Sequence, residues 1–166
     1  TALCQRVVKS EKESLEQAKE LNIIENYASL PKLMCDPSLL STIVRNLLSN
    51  AFKYTPEGGD VTIAAERTAQ KLTPNSKGSI RITVTDTGYG IPRNQQGKIF
   101  AKLFRASNIK AKDTDGTGLG LYIVKTILEQ VGGRIEFSSV ENKGSVFVVT
   151  LPLEGMRHVR DRSRYV

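Results

Sequence analysis

Between Asp36 and Tyr54 the chain commits to one long amphipathic helix, and this segment does most to limit the folds open to it. Asp36 can cap a helix, and Pro37 suits the first helical position, where a missing N–H costs nothing. Leu40, Val44, Leu47, Leu48 and Ala51 then recur at helical spacing and form one face for burial. Pro56 and the pair Gly58–Gly59 end the helix. A helix with a single apolar stripe must lay that stripe on another layer.

The neighbouring segments supply the other layer. Alternating residues predict strands over 61–66 and 80–85, joined by a polar hairpin loop at 68–79. Two more strands are predicted over 134–138 and 145–151, joined by a turn at 141–144. A second helix is predicted from about 118 to 131, stopped by Gly132–Gly133. At the start of the chain a polar helix is expected over 5–20, followed by short strands over 21–27 and 30–35 around the turn near Ser29–Pro31. This order predicts an α+β domain of two layers, a sheet covered on one face by helices. Between the strand ending near 85 and the helix starting near 118 lies a long segment rich in Gly, Lys, Asn and Asp. Its one apolar island runs from Ile99 to Phe104. A loop of that length inside a small domain is usually functional or disordered.

The net charge of +7 is unevenly placed. Arg93, Lys98, Lys102, Arg105, Lys110 and Lys112 face only Asp113 and Asp115 within 93–116. Arg157, Arg160, Arg162 and Arg164 face only Asp161 in the tail 156–166, and the rest of the chain is balanced. A uniformly basic surface would suggest nucleic acid, whereas a basic loop beside glycines suggests a smaller anion such as a polyphosphate. The tail reads as a solvated terminus, and only Tyr165 interleaves with its arginines, so no nucleic-acid partner is expected. Cys4 and Cys35 form neither a disulfide framework nor a metal-ligand spacing, and a reducing, cytoplasmic setting is expected. No apolar run approaches the roughly 18 residues of a membrane-spanning helix, so no membrane-embedded segment is expected.

Three constellations could carry chemistry. Asn46, Asn50 and Lys53 share one stripe of the first long helix. An amide oxygen is a hard neutral ligand suited to Mg²⁺, and a lysine one turn on could pair with phosphate. The same stripe also reads as the wet side of an amphipathic helix. Asp86-Thr87-Gly88-Tyr89-Gly90-Ile91-Pro92 follows a predicted strand. A buried carboxylate there could accept a hydrogen bond from an exocyclic amine, and the glycines would let a flat base approach; an Asp-Gly turn without a ligand fits as well. Gly116-Thr117-Gly118-Leu119-Gly120 opens the second helix, where backbone N–H groups and the helix dipole make an anion site. The spacing is neither a dinucleotide fingerprint nor a P-loop.

Together these stretches resemble the ATP-binding catalytic domain of sensor histidine kinases, part of a superfamily shared with gyrase, Hsp90 and MutL. The matching stretches are Asn46-Leu47-Leu48-Ser49-Asn50-Ala51-Phe52-Lys53-Tyr54-Thr55-Pro56, Asp86 to Pro92, Ile99-Phe100 with Phe104-Arg105, Gly116 to Gly120, and Gly144-Ser145 running to Pro152. Their order and spacing hold from about residue 21 to 153. The resemblance implies a Bergerat-type fold, a mixed and mostly antiparallel sheet under about three helices, with a mobile ATP lid at 93–116 anchored by Phe100 and Phe104. It implies ATP and Mg²⁺ as ligands. Asn50 would hold the metal, Asn46 would support it or the phosphates, and Lys53 would contact phosphate. Tyr54 would pack near the base or ribose. Asp86 would read the adenine amine, in a pocket shaped by Gly88, Gly90 and Ile91. Arg105, Lys110 and Lys112 are candidate phosphate contacts beside Phe104. Gly116, Thr117, Gly118, Leu119 and Gly120 would wrap the phosphates. Ser145 would sit near adenine, or serve only as a turn residue entering a strand.

Hydrolytic relatives carry glutamate where this chain has Asn46, and an amide is no general base at neutral pH. The resemblance therefore implies phosphoryl transfer to a partner, with hydrolysis or a degenerate ATP-binding scaffold as the alternatives. The acceptor would be a histidine on an upstream dimerisation domain, since His158 in the tail lacks the helical context of an acceptor. Residues 1–20 are expected as a connector from that domain and 154–166 as a basic tail. The parent would be a homodimer, membrane-anchored or not, serving a response regulator receiver domain.

Overall fold

The computed structural model describes residues 1–15, 20–72, 74, 76–110 and 117–156. Five strands form one sheet: β1 (Asn22–Tyr27), β2 (Asp60–Thr68), β3 (Ser79–Asp86), β4 (Arg134–Val140) and β5 (Gly144–Pro152), in the order β1-β2-β3-β5-β4. β1 runs parallel to β2, and the other three pairings are antiparallel. The helices are α1 (Ala2–Leu15), α2 (Pro37–Tyr54), the short α3 (Ser107–Lys110) and α4 (Gly120–Val131).

Strand alternation puts Val61, Ile63 and Ala65 of β2, Ile80, Ile82 and Val84 of β3, and Phe147, Val149 and Leu151 of β5 on one face, all buried. α2 covers that face with Ile43, Val44, Leu47, Leu48 and Phe52, and α4 with Val124, Leu128 and Val131. The opposite face carries Arg81, Thr83, Glu136 and Ser138, partly or fully open to solvent. The structure is thus the two-layer α+β arrangement expected, with the packed helices on one face of the sheet.

The local signals act where they stand. Asp36 Oδ1 accepts from the N–H groups of Ser38 at 2.8 Å and Leu39 at 3.4 Å, which caps α2. Gly132, at φ 74°, closes α4 in the left-handed conformation, and Gly133 N donates to Leu128 O at 2.8 Å.

One segment departs from the sequence reading. Residues 30–35 form no strand: Pro31 has no N–H for a ladder, and Leu30, Leu33 and Cys35 instead pack against the core as the chain crosses from β1 to α2. The helix expected near the start of the chain forms as α1 and packs on α2. α1 buries Cys4, Val7 and Val8 against α2, with Val8 fully inaccessible.

Candidate functional site

β3 ends on Asp86, whose side chain points to the helix-covered side and is 8% exposed. Its Oδ1 accepts the backbone N–H of Gly88 at 2.9 Å and of Ser145 at 3.2 Å. Oδ2 has no hydrogen-bond partner among the described residues and remains an open acceptor. Burial pushes the Asp86 carboxyl above its ordinary pKa, and the Gly88 and Ser145 amides pull it back down. The loop after β3 lies against the end of α2: Tyr89 N donates to Tyr54 O at 3.1 Å. A Cβ at residue 88 would run into the Tyr54 carbonyl, so Gly88 permits this close approach.

α2 supplies the next residues. Asn46, Asn50, Lys53 and Tyr54 all line one cavity. Asn46 Nδ2 donates to Thr42 O at 2.8 Å, which turns its Oδ1 toward the start of α4, where a Cβ on Gly120 would stand 2.8 Å from it. The Asn50 amide has no hydrogen bond to a described residue. Lys53 Nζ sits 5.9 Å from the Tyr54 ring centroid. Asn46 and Tyr54 are eight residues apart on the helix, about 12 Å at 1.5 Å per residue.

The other wall comes from the segment between β3 and α4. A 3-10 helix at Arg93–Lys98 is tied down by Gln96, whose Nε2 donates to Ile91 O and Ser139 O at 3.0 Å each. Ser107 N donates to Gln95 Oε1 at 2.8 Å, and Asn108 Nδ2 to Gly90 O at 3.0 Å, which holds α3 beside the loop after β3. Phe100 meets Phe137 edge to face at 5.7 Å. Gly118, at φ 68°, packs on the backbone of Leu103 and Phe104, where a Cβ would come within 2.7 Å of the Leu103 carbonyl carbon.

The resulting cavity holds about 270 Å³. Besides the α2 residues it is lined by Asp86, Gly90 and Ile91 after β3, and by Phe104 and Arg105 from the loop. Thr117 and Gly118 line it ahead of α4, Gly120 as the first residue of α4, and Ser145 from β5. Gly88 and Leu119 do not line the cavity. Lys112, Gly116 and the Lys110 side chain lie outside the described residues, as does most of the tail with His158.

The chain is similar to known proteins in sequence and fold. Residues 35–155 match the model of the histidine kinase-, DNA gyrase B- and HSP90-like ATPases. The chain belongs to that family. It is 38% identical over 152 residues to the adaptive-response sensory kinase SasA of Synechococcus elongatus, covering 91% of this chain and 37% of that protein. The chain thus spans little more than a third of this curated relative's length. Among solved structures, the mycobacterial sensor histidine kinase MprB superposes with a TM-score of 0.76 at 25% identity, covering 93% of this chain and 96% of that one. Full-length ShkA in complex with AMPPNP gives a TM-score of 0.74 at 27% identity, covering 95% of this chain and 30% of that one.

Several residues of this cavity escaped the sequence reading. Ser49, Ala106, Leu121 and Phe147 also line the cavity. Ser139 does not line it, yet its Oγ accepts from Ile91 N at 2.9 Å and lies 3.0 Å from both Gly144 O and Ser145 Oγ. The signal for Ser139 is the β4–β5 register, which sets it directly opposite Ser145. No local pattern announces that pairing.

Proposed function

We propose that this chain is the catalytic domain of a two-component sensor histidine kinase. In this reading it binds Mg-ATP and presents the γ-phosphoryl group to a histidine on a separate dimerisation domain of a homodimeric parent. A response regulator receiver domain would take the phosphoryl group next. The observation that carries the reading is the polarity of the cavity from end to end. One end offers Asp86 Oδ2, a buried acceptor suited to the adenine amine. The other, about 12 Å along α2, offers amide oxygens and the glycine-rich start of α4. That span suits an extended nucleoside triphosphate better than a base alone.

The donor set also suits Mg²⁺ brought in with phosphate. No group of three or more His, Cys, Asp or Glu among the described residues could hold a metal by itself. Asn50 would contribute a neutral oxygen, and the remaining ligands would be phosphate oxygens and water. The metal would neutralise phosphate charge and favour transfer. Asn46 Oδ1 would help to orient the metal or the phosphates, Lys53 and Arg105 would face anionic oxygens, and the backbone at Gly118 and Gly120 would hold them. Tyr54, Ile91 and Phe104 would flank the nucleoside, with Ser145 at the base. Among the described lining residues Asp86 is the one carboxylate, and its Oδ1 is committed to two N–H groups. With an amide at 46, these residues offer no general base to activate water near the phosphates, which favours transfer over hydrolysis.

Calorimetric titration with a non-hydrolysable ATP analogue, with and without Mg²⁺ and with the GTP analogue as control, tests the reading. Adenine-selective binding strengthened by Mg²⁺ is the expected result. Absence of binding at millimolar nucleotide by a folded sample would overturn it.

A further inference from the structure

We propose that Ser139, which does not touch the cavity, sets its base selectivity by fixing the direction of the Ser145 hydroxyl. The inference rests on the nucleotide reading above and adds a specificity-determining positioning residue to it.

A serine hydroxyl has one proton and two lone pairs. Ser139 Oγ spends one lone pair on the N–H of Ile91 at 2.9 Å. It stands 3.0 Å from Gly144 O, which can only accept, and 3.0 Å from Ser145 Oγ, which can accept or donate. One assignment makes all three contacts hydrogen bonds. Ser139 gives its proton to the Gly144 carbonyl, and Ser145 gives its own proton to the second lone pair of Ser139. In the reverse assignment Ser139 donates to Ser145, and the Gly144 contact is left without a proton. Buried polar groups favour the arrangement with more bonds, and Ser145 is 7% exposed.

The consequence falls on the cavity. With its proton turned back to Ser139, Ser145 faces the base with lone pairs alone. Its backbone N–H is already given to Asp86 Oδ1. Asp86 Oδ2 and Ser145 Oγ then form an acceptor-only wall. Such a wall takes the amine of adenine and repels a base with a carbonyl at the same position, because a ligand acceptor would meet acceptors with no proton between them.

The test measures binding of Mg-ATP and Mg-ITP by calorimetry on the whole chain. Hypoxanthine carries a carbonyl where adenine has the amine. Ser139→Ala removes the acceptor of the Ser145 proton, which can then donate to that carbonyl. The preference for ATP over ITP is expected to fall about tenfold. Ser139→Thr keeps the hydroxyl and should keep the preference. Loss of the Ile91 anchor weakens both nucleotides together, so the ratio is the readout. Ser145→Ala provides an independent measurement if Ser139→Ala does not fold. With the Ser145 proton turned away, its removal should not weaken ITP relative to ATP. An unchanged ratio in folded Ser139→Ala, or a selective loss of ITP in Ser145→Ala, would overturn the inference. A wild type with no preference for ATP would overturn the nucleotide reading and this inference with it. A selective wild type with an unchanged ratio in Ser139→Ala would overturn this inference alone.

Discussion

Replacing Asp86 with Asn separates the binding role of the carboxylate from its place in the fold. In the native chain Oδ1 accepts from Gly88 N and Ser145 N, and Oδ2 is open. An Asn at 86 satisfies those two amides only with its carbonyl oxygen at the Oδ1 position. The NH₂ then takes the Oδ2 position and meets the adenine amine donor to donor. Loss of a charged acceptor and an unpaired amine together cost about 3 kcal/mol, on the order of a hundredfold in affinity. The stability effect has the opposite sign. Burial raises the folded-state pKa of Asp86, so protonation favours the folded chain. That contribution is full below the unfolded carboxylate pKa and is lost as pH rises through the raised folded value. At neutral pH the ionised group is a cost, which Asn removes. Asp86→Asn should therefore melt at or above the wild-type temperature at neutral pH, with the difference shrinking in acid, while calorimetry shows the loss of ATP-analogue binding. A folded Asp86→Asn that binds within threefold of wild type would refute the argument.

Three further substitutions probe other parts. Asn50→Ala should leave the melting temperature unchanged, because the Asn50 amide bonds no described residue. It should remove the Mg²⁺-dependent gain in analogue affinity, read by titration with and without the metal. Gly118→Ala forces a side chain onto a residue at φ 68° that packs on the Leu103 and Phe104 backbone. The conformation alone costs about 1–2 kcal/mol, so amide exchange at residues 99–104 should accelerate and analogue affinity should fall about tenfold. Val8→Ala should lower unfolding free energy in denaturant by about 2 kcal/mol, since Val8 is fully buried between α1 and its neighbours. No loss would mean that α1 is not part of the cooperative unit.

Much of the architecture was legible because its signals are local. Asp36–Pro37 marks the start of α2, the 3.6-residue stripe from Leu40 to Ala51 marks its buried face, and Gly132 marks the end of α4. Alternation located β2, β3, β4 and β5 to within a few residues. The failed strand at 30–35 had the right residues but no ladder to join. Its apolar side chains Leu30, Leu33 and Cys35 pack against the core without joining the sheet. Gly88, Gly90, Gly118 and Gly120 stood out in the sequence, whereas the neighbours that require them to be glycine did not. Tyr54 O, Val140 O, Leu103 and Asn46 come from other elements.

The sequence by itself determined where α2 begins and where α4 ends, which side of α2 is apolar, and which residue types could bind an amine, a metal or a phosphate. Propensity, capping and periodicity act within a few residues of one another. Tertiary structure alone decided that β1 joins β2 in parallel and that α1 belongs to the core. It also decided that Asp86 meets Ser145, 59 residues away, and that Ser139 stands opposite Ser145. These relations depend on strand order and register, and shifting a strand by one residue would turn its side chains to the other face without changing its local pattern.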